Sequence, residues 1–161
     1  MIFVKGDLLT SPVQYLAHQV NCKGVMGAGL AKQMRDQYPH LYEDYVTFIQ
    51  DNSDIVDTLL GHCLCHYTHD ICDHIIVNIF GQEGYGRNGN YTNYEAVYRG
   101  FVELKEELIA DNIFTEDSQI TVAIPYGFGC GLAGGDWDTM YQLFVKLETE
   151  EHFLFICYKL N

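Results

Sequence analysis

The sequence predicts an α/β fold, a three-layer α/β/α sandwich around a central mixed sheet. Three observations predict it. Short apolar runs alternate with amphipathic stretches along the chain. The longest such stretch, 93–110, keeps Val97, Phe101, Leu104 and Leu108 on one stripe. Twelve of the fifteen glycines fall in three loops, 24–29, 81–89 and 127–135, and each loop leads into an expected helix.

In chain order, residues 1–5 read as a short strand that ends at the polar corner Gly6-Asp7. Residues 15–20 form a second, apolar strand. Residues 29–37 read as a helix that stops before Pro39. Residues 41–50 continue as a helix, with Leu41, Tyr45, Phe48 and Ile49 on one face. Strands at 59–67 and 74–80 suit a hairpin around 68–73. Thr92 or Asn93 caps the long helix. Residues 120–124 make an apolar strand into the third glycine loop, 137–148 a helix capped by Asp136, and 153–158 a final strand. No repeat, low-complexity tract or Pro/Ser-rich linker interrupts this order, so residues 1–161 are expected to form one domain.

Charge narrows the partners. The net charge is −13, with only nine Lys+Arg. Nucleic-acid binding draws on basic patches that displace counterions, and no such run exists here, which disfavours a nucleic-acid polymer. A small diphosphate is different. Surface charges beyond about 8 Å are largely screened at physiological salt. A hydrogen bond to a charged oxygen contributes about 1.5–3 kcal/mol. A few local donors therefore outweigh the distant acidic field.

No stretch approaches the roughly 20 apolar residues of a membrane helix. The start, MIFVKGDLL, lacks the pattern of a signal peptide. A cytoplasmic protein without membrane attachment is expected, with its six cysteines as reduced thiols.

The segment Val20-Asn21-Cys22-Lys23-Gly24-Val25-Met26-Gly27-Ala28-Gly29-Leu30-Ala31 runs from strand through a tight loop into a helix. Small residues at 27–29 let a diphosphate approach the backbone, and the helix start adds free N–H donors. The same spacing suits an ordinary strand-to-helix turn. It is neither a Walker loop nor a dinucleotide fingerprint. The third loop places five glycines in nine residues, more than a simple connection needs. Open α/β sheets bind ligands beyond the carboxyl ends of their strands. All three loops leave such ends, so they are expected to surround one pocket.

Other positions have two readings. Asp7 either caps its turn or accepts a hydrogen bond from the amine of a base. The middle loop is either a mobile polar lid or a phosphate clamp built on Arg87, with Gln82 or Glu83 orienting a water. His62, Cys63, Cys65, His66, His69, Cys72 and His74 put seven potential metal ligands in thirteen residues. Strand alternation turns Cys63 and Cys65 away from His62 and His66, and paired Cys-x2-Cys spacing is absent, so no metal is expected.

Lys5-Gly6-Asp7, Gly24-Val25-Met26-Gly27-Ala28-Gly29-Leu30-Ala31 and Gly129-Cys130-Gly131-Leu132, in this order, resemble the macrodomain family. The similar branch acts on ADP-ribose 1″-phosphate or on ADP-ribosylated protein and DNA. The resemblance implies a macrodomain sandwich that binds ADP-ribose or an ADP-ribosylated substrate and needs no cofactor. It implies that Asp7 and Leu8 meet the adenine and that Tyr158 packs against it. Asn21 would face the distal ribose. Gly27, Ala28, Gly29 and Leu30, with Gly127, Phe128, Gly129, Cys130, Gly131 and Leu132, would wrap the diphosphate and distal ribose.

Two departures bear on catalysis. The covalent lysine and aspartate of the protein glycohydrolase are replaced here by Gln82 and Ala133. His18 matches a histidine of the phosphatase. Together they favour phosphatase or other hydrolytic chemistry with Asn21 and His18 as catalytic candidates, and a non-catalytic ADP-ribose-binding module as the alternative. In a regular strand His18 and Asn21 point to opposite faces, so a shared role for them requires a bulge.

Overall fold

A computed structural model describes residues Met1–Asn161. Six strands form one sheet: β1 (Ile2–Lys5), β2 (Tyr15–Asn21), β3 (Cys63–Tyr67), β4 (Ile75–Gln82), β5 (Ile120–Pro125) and β6 (Phe153–Lys159). The helices are α1 (Gly29–Gln37), α2 (Pro39–Asn52), α3 (Tyr94–Ala110) and α4 (Trp137–Glu151), with a short 3-10 turn at Leu8–Thr10. The strand order is β1-β6-β5-β2-β4-β3. All neighbours run parallel except β3, which pairs antiparallel with β4 at one edge.

Alternation along the strands makes two cores. Tyr15 and Ala17 of β2 join Val77, Ile79, Val122 and Phe155 beneath Val97 and Phe101 of α3 and Phe144 of α4. Leu16 and Val20 face the other way, onto Met34 of α1 and Leu41 and Tyr45 of α2. Strands buried on both faces read as near-continuous apolar runs, as Ile75–Gln82 does. The expected α/β/α layering and mixed sheet are both present.

Local chemistry sets the element ends. Pro39 opens α2 at a position where its missing N–H costs nothing. The Asn93 side chain accepts from the Ala96 N–H at 2.9 Å and Asp136 from the Thr139 N–H at 2.9 Å, so each caps its helix. Two expected bounds shift by three residues or more. The strand expected from 59 begins at Cys63, because Gly61 sits at φ +90° and the His62 N–H closes a turn onto the Leu59 carbonyl. The helix expected to end at 148 runs to Glu151 and stops where His152 turns left-handed at φ 61°.

One irregularity positions the site. Val20 pairs with Phe80, but Asn21 pairs with Gln82, so Gly81 is an extra residue in β4. A Cβ on Gly81 would lie 2.6 Å from both Gln19 Oε1 and Val97 Cγ2, so the bulge requires glycine. No helix is long and apolar enough to cross a membrane.

Candidate functional site

A cleft runs over the carboxyl ends of the strands. Its larger part, about 560 Å³, lies over β5, β2 and β4. His18, Asn21, Gly27, Ala28, Gly29, Leu30, Gly127, Phe128, Gly129, Gly131 and Leu132 line it. A smaller part of about 300 Å³ lies over β1, β6 and β5, and Asp7, Leu8 and Tyr158 line that one. Leu30, Pro125 and Tyr126 border both parts. The three loops thus share one cleft, as their positions after strands require. Cys130 lines neither part; its thiol lies 3.2 Å from the Phe128 carbonyl and it packs on the α3/α4 core.

The cleft's main resource is unpaired backbone. Ala28 precedes α1 in extended conformation and provides no side-chain cap. The amides of Gly27 through Ala31 meet no acceptor in the chain. Across the cleft, the amides of Gly129, Gly131, Leu132 and Ala133 are also unpaired, while their neighbours Cys130 and Gly134 bond within the loop. Two rows of free donors in one cleft, one of them at a helix N-terminus, suit a diphosphate.

Asn21 shapes the first row. Its Oδ1 accepts the Lys23 N–H at 2.9 Å, and its Nδ2 donates to the Val25 carbonyl at 2.8 Å. Tyr45 and Tyr42 hold the same loop from α2: the Tyr42 hydroxyl donates to the Gly24 carbonyl at 2.7 Å, and the Tyr45 hydroxyl accepts the Gly24 N–H at 3.2 Å. Burial holds the Tyr45 hydroxyl well above the usual tyrosine range, so it stays protonated. One N–H of the Asn21 amide remains for a ligand. Sequence reasoning missed both tyrosines, because their helical spacing reads as core.

His18 is buried, and its Nε2 lies 2.6 Å from Asn78 Oδ1. Asn78 Nδ2 donates to the Leu64 carbonyl at 3.0 Å, which fixes the amide and makes Oδ1 an acceptor. His18 therefore carries its proton on Nε2, and its Nδ1 is a bare lone pair with no partner. Burial depresses the imidazole pKa to about 4, partly offset by the Asn78 bond, so the ring is neutral at pH 7. The bulge at Gly81 brings the ends of β2 and β4 out of phase, and His18 and Asn21 both line the larger cavity.

The middle and third loops are laced together. Gln19 Nε2 donates to Gln82 Oε1 and to Thr92 Oγ1, both at 2.9 Å. Thr92 Oγ1 donates to the Gly129 carbonyl at 2.6 Å, and the Tyr91 N–H donates to the Ala133 carbonyl at 2.7 Å. Gln82 and Arg87 line the larger cavity. Glu83 turns outward, accepting from Thr58 at 2.6 Å and lying 3.5 Å from Lys23.

At the smaller end, Asp7 Oδ1 accepts the Leu9 N–H at 3.0 Å, so Asp7 does cap its turn. Its second oxygen has no partner in the chain, which leaves the base-binding reading open beside the cap. Tyr126, tilted against Trp137 at 4.7 Å, adds an aromatic wall beside Tyr158.

The His/Cys cluster disperses over several partners. His62 pairs with Glu103 at 2.7 Å, His66 with Asp44 at 2.5 Å and His74 with Asp70 at 2.7 Å. Of its members only Cys63 belongs to a group of three potential ligands: its thiol and the carboxylates of Glu103 and Glu107 lie within 4.8 Å of one another.

No family model matches the chain. Among curated proteins, the ADP-ribose 1″-phosphate phosphatase of Saccharomyces cerevisiae (strain YJM789) is 31% identical over 98 residues, 57% of this chain and 54% of that protein. The DNA ADP-ribosyl glycohydrolase of Thermus aquaticus is 48% identical over 44 residues, 27% of this chain and 12% of that protein. The match thus spans about half the yeast protein and a smaller share of the bacterial one. Among solved structures, the macrodomain of Mycobacterium tuberculosis DarG superposes with a TM-score of 0.75 at 23% identity, covering 98% of this chain and 95% of that one. Thermosipho africanus DarTG in complex with ADP-ribose gives 0.72 at 21%, covering 98% of this chain and 41% of that one. The chain has the macrodomain fold. In sequence it is similar to ADP-ribose-processing enzymes, as the glycine motifs implied.

Proposed function

We propose that the chain binds ADP-ribose along this cleft and hydrolyses a derivative of it at the distal ribose, with removal of a 1″-phosphate as the favoured reaction. The observation that carries the reading is the pair of amide rows without acceptors, Gly27–Ala31 on one side and Gly129, Gly131, Leu132 and Ala133 on the other, all lining one cavity. These rows hold the diphosphate. The smaller end, with Asp7, Leu8 and Tyr158, takes the adenine. The ends of β2 and β4 then face the distal ribose. Asn21 offers it one amide N–H.

His18 supplies a neutral imidazole whose Nδ1 is buried and has no partner in the chain, so on this reading it orients a water enclosed beside it rather than one from open solvent. Attack of that water on phosphorus breaks the bond between phosphorus and the 1″-oxygen. The ribose oxygen ends with the proton, and the products are ADP-ribose and inorganic phosphate. Free loop amides stabilise the charge that builds on the phosphoryl oxygens.

One observation favours a second reading, a module that binds ADP-ribose without turnover. No carboxylate or lysine side chain lines the larger cavity, with Gln82 and Ala133 where covalent chemistry would need them. Glycosyl hydrolysis of ADP-ribosylated DNA fits the similarity to the bacterial glycohydrolase. A polymeric nucleic-acid partner is poorly suited to a net charge of −13. Six cysteines without a disulfide suit a reducing, cytoplasmic setting.

Calorimetric titration with ADP-ribose, ADP and NAD side by side tests the binding claim. Preference for ADP-ribose over ADP is expected, and equal affinity removes the distal ribose from the site. Phosphate release from ADP-ribose 1″-phosphate, and ADP-ribose release from modified protein or DNA, then separate enzyme from module.

A further inference from the structure

Among Lys, Arg, Asp and Glu side chains, Arg87 alone lines the larger cavity. The chain holds nine Lys+Arg against 22 Asp+Glu. Lys23, Lys32, Arg99 and Lys105 each face a carboxylate. Arg35, Lys146 and Lys159 each lie over a tyrosine ring. Only Lys5 and Arg87 have neither kind of partner, and of those two only Arg87 lines the cleft. In so acidic a chain, an unpaired guanidinium at a cavity wall is positioned for an anion from outside.

Its place in the sheet says which anion. The smaller cavity sits over β1 and β6, and Arg87 follows β4. Four strand spacings separate β1 from β4, about 19 Å in all. A ligand with its base over β1 and its diphosphate between the two amide rows therefore reaches β4 with its distal ribose. Arg87 lines the same cavity from the loop that follows β4, so on this reading it is available to a substituent on that ribose.

The backbone of the loop that carries it is also held in place. Gly86 and Gly89 flank it and pack on Tyr91; a Cβ would lie 2.8 Å and 2.9 Å, respectively, from Tyr91 Cζ. Tyr91 is itself anchored by its N–H to the Ala133 carbonyl at 2.7 Å. The loop's ends are joined by the Gln82–Thr92 bridge.

Building on the ADP-ribose reading above, we infer that Arg87 is a specificity-determining residue that recognises a phosphate monoester on the distal ribose, selecting the phosphorylated ligand over plain ADP-ribose. The planar guanidinium fork matches phosphate oxygens two at a time, which an ammonium does not.

The test uses ADP-ribose and a non-hydrolysable 1″-phosphonate analogue of it, titrated into the wild-type chain, Arg87→Ala and Arg87→Lys. The wild type is expected to bind the phosphonate about tenfold to a hundredfold more tightly than ADP-ribose. Arg87→Ala should erase that preference, and Arg87→Lys should keep part of it. If the wild type binds ADP-ribose but shows no preference, or if Arg87→Ala weakens both ligands equally, the Arg87 assignment is wrong while the cleft assignment stands. If ADP-ribose itself does not bind, both fall.

Discussion

The hydroxyl of Tyr45 lies 2.6 Å from the main-chain carbonyl oxygen of Asn21 and 2.8 Å from its side-chain Oδ1. A buried phenol on α2 thus fixes both the backbone and the amide of the residue that begins the first glycine loop. The loop's open shape depends on a contact made 24 residues away.

Tyr45→Phe removes that hydroxyl and keeps the ring, which stacks on Phe80 at 5.9 Å. Loss of buried hydrogen bonds is expected to lower stability by about 1–2 kcal/mol in urea denaturation. ADP-ribose affinity should fall as well, because the loop amides lose their alignment. Full affinity in a destabilised variant would show that the loop holds its shape without Tyr45.

Gly27→Glu separates binding from folding. Gly27 has an ordinary φ, and an added Cβ would meet only Val25 Cγ1, at 3.7 Å. The fold should tolerate the change within about 0.5 kcal/mol. Binding should disappear in calorimetry, since bulk and negative charge enter the space meant for the diphosphate. Retained affinity would place the ligand elsewhere.

Gln19→Leu tests the lacing between loops. Without its Nε2, Gln82 Oε1 and Thr92 Oγ1 each lose a donor. A loss of about 1–3 kcal/mol in stability is expected. Hydrogen exchange should rise at Tyr91 and Asn93, whose amides bond across the same seam to Ala133 and Gly81. Unchanged exchange there would mean that the backbone bonds hold the seam unaided.

His18 gives the pH dependence a sign. Its folded pKa, about 4, lies below the ordinary 6.5. The unfolded chain therefore takes up the proton first as pH falls. The contribution to stability is whole above pH 6.5 and is lost on the way down to pH 4, by something on the order of 3 kcal/mol. A His18→Gln variant should lose less stability than the wild type between pH 7 and pH 4. The ring's NMR shifts should also remain those of neutral imidazole at pH 5.5, and an imidazolium spectrum there would contradict the burial argument.

Periodicity and punctuation made much of this legible beforehand. The stripe from Val97 to Leu108, the caps at Asn93 and Asp136, and the stop before Pro39 are local signals, and local physics decided them. Convergence of the glycine loops followed from their places at strand ends. The rest depends on the strand order. Nothing near Gly81 announces a bulge until β2 lies beside it. Tyr45 carries an apolar ring in a helical stripe, so its hydroxyl's target stayed hidden. Glu83 neighbours Gln82 in the chain, yet the end of β4 turns it toward Thr58 and Lys23.

A grip made from peptide groups has no side chain to lose. On the ADP-ribose reading, substitutions in these loops that keep the backbone path and add no bulk or negative charge to the cleft leave the anchoring of the pyrophosphate in place. The few polar side chains of the cavity wall, buried His18 and exposed Arg87 among them, are then free to vary without releasing the ligand. A scaffold of this construction can trade turnover for mere recognition, or one leaving group for another, by changing only what surrounds the far sugar.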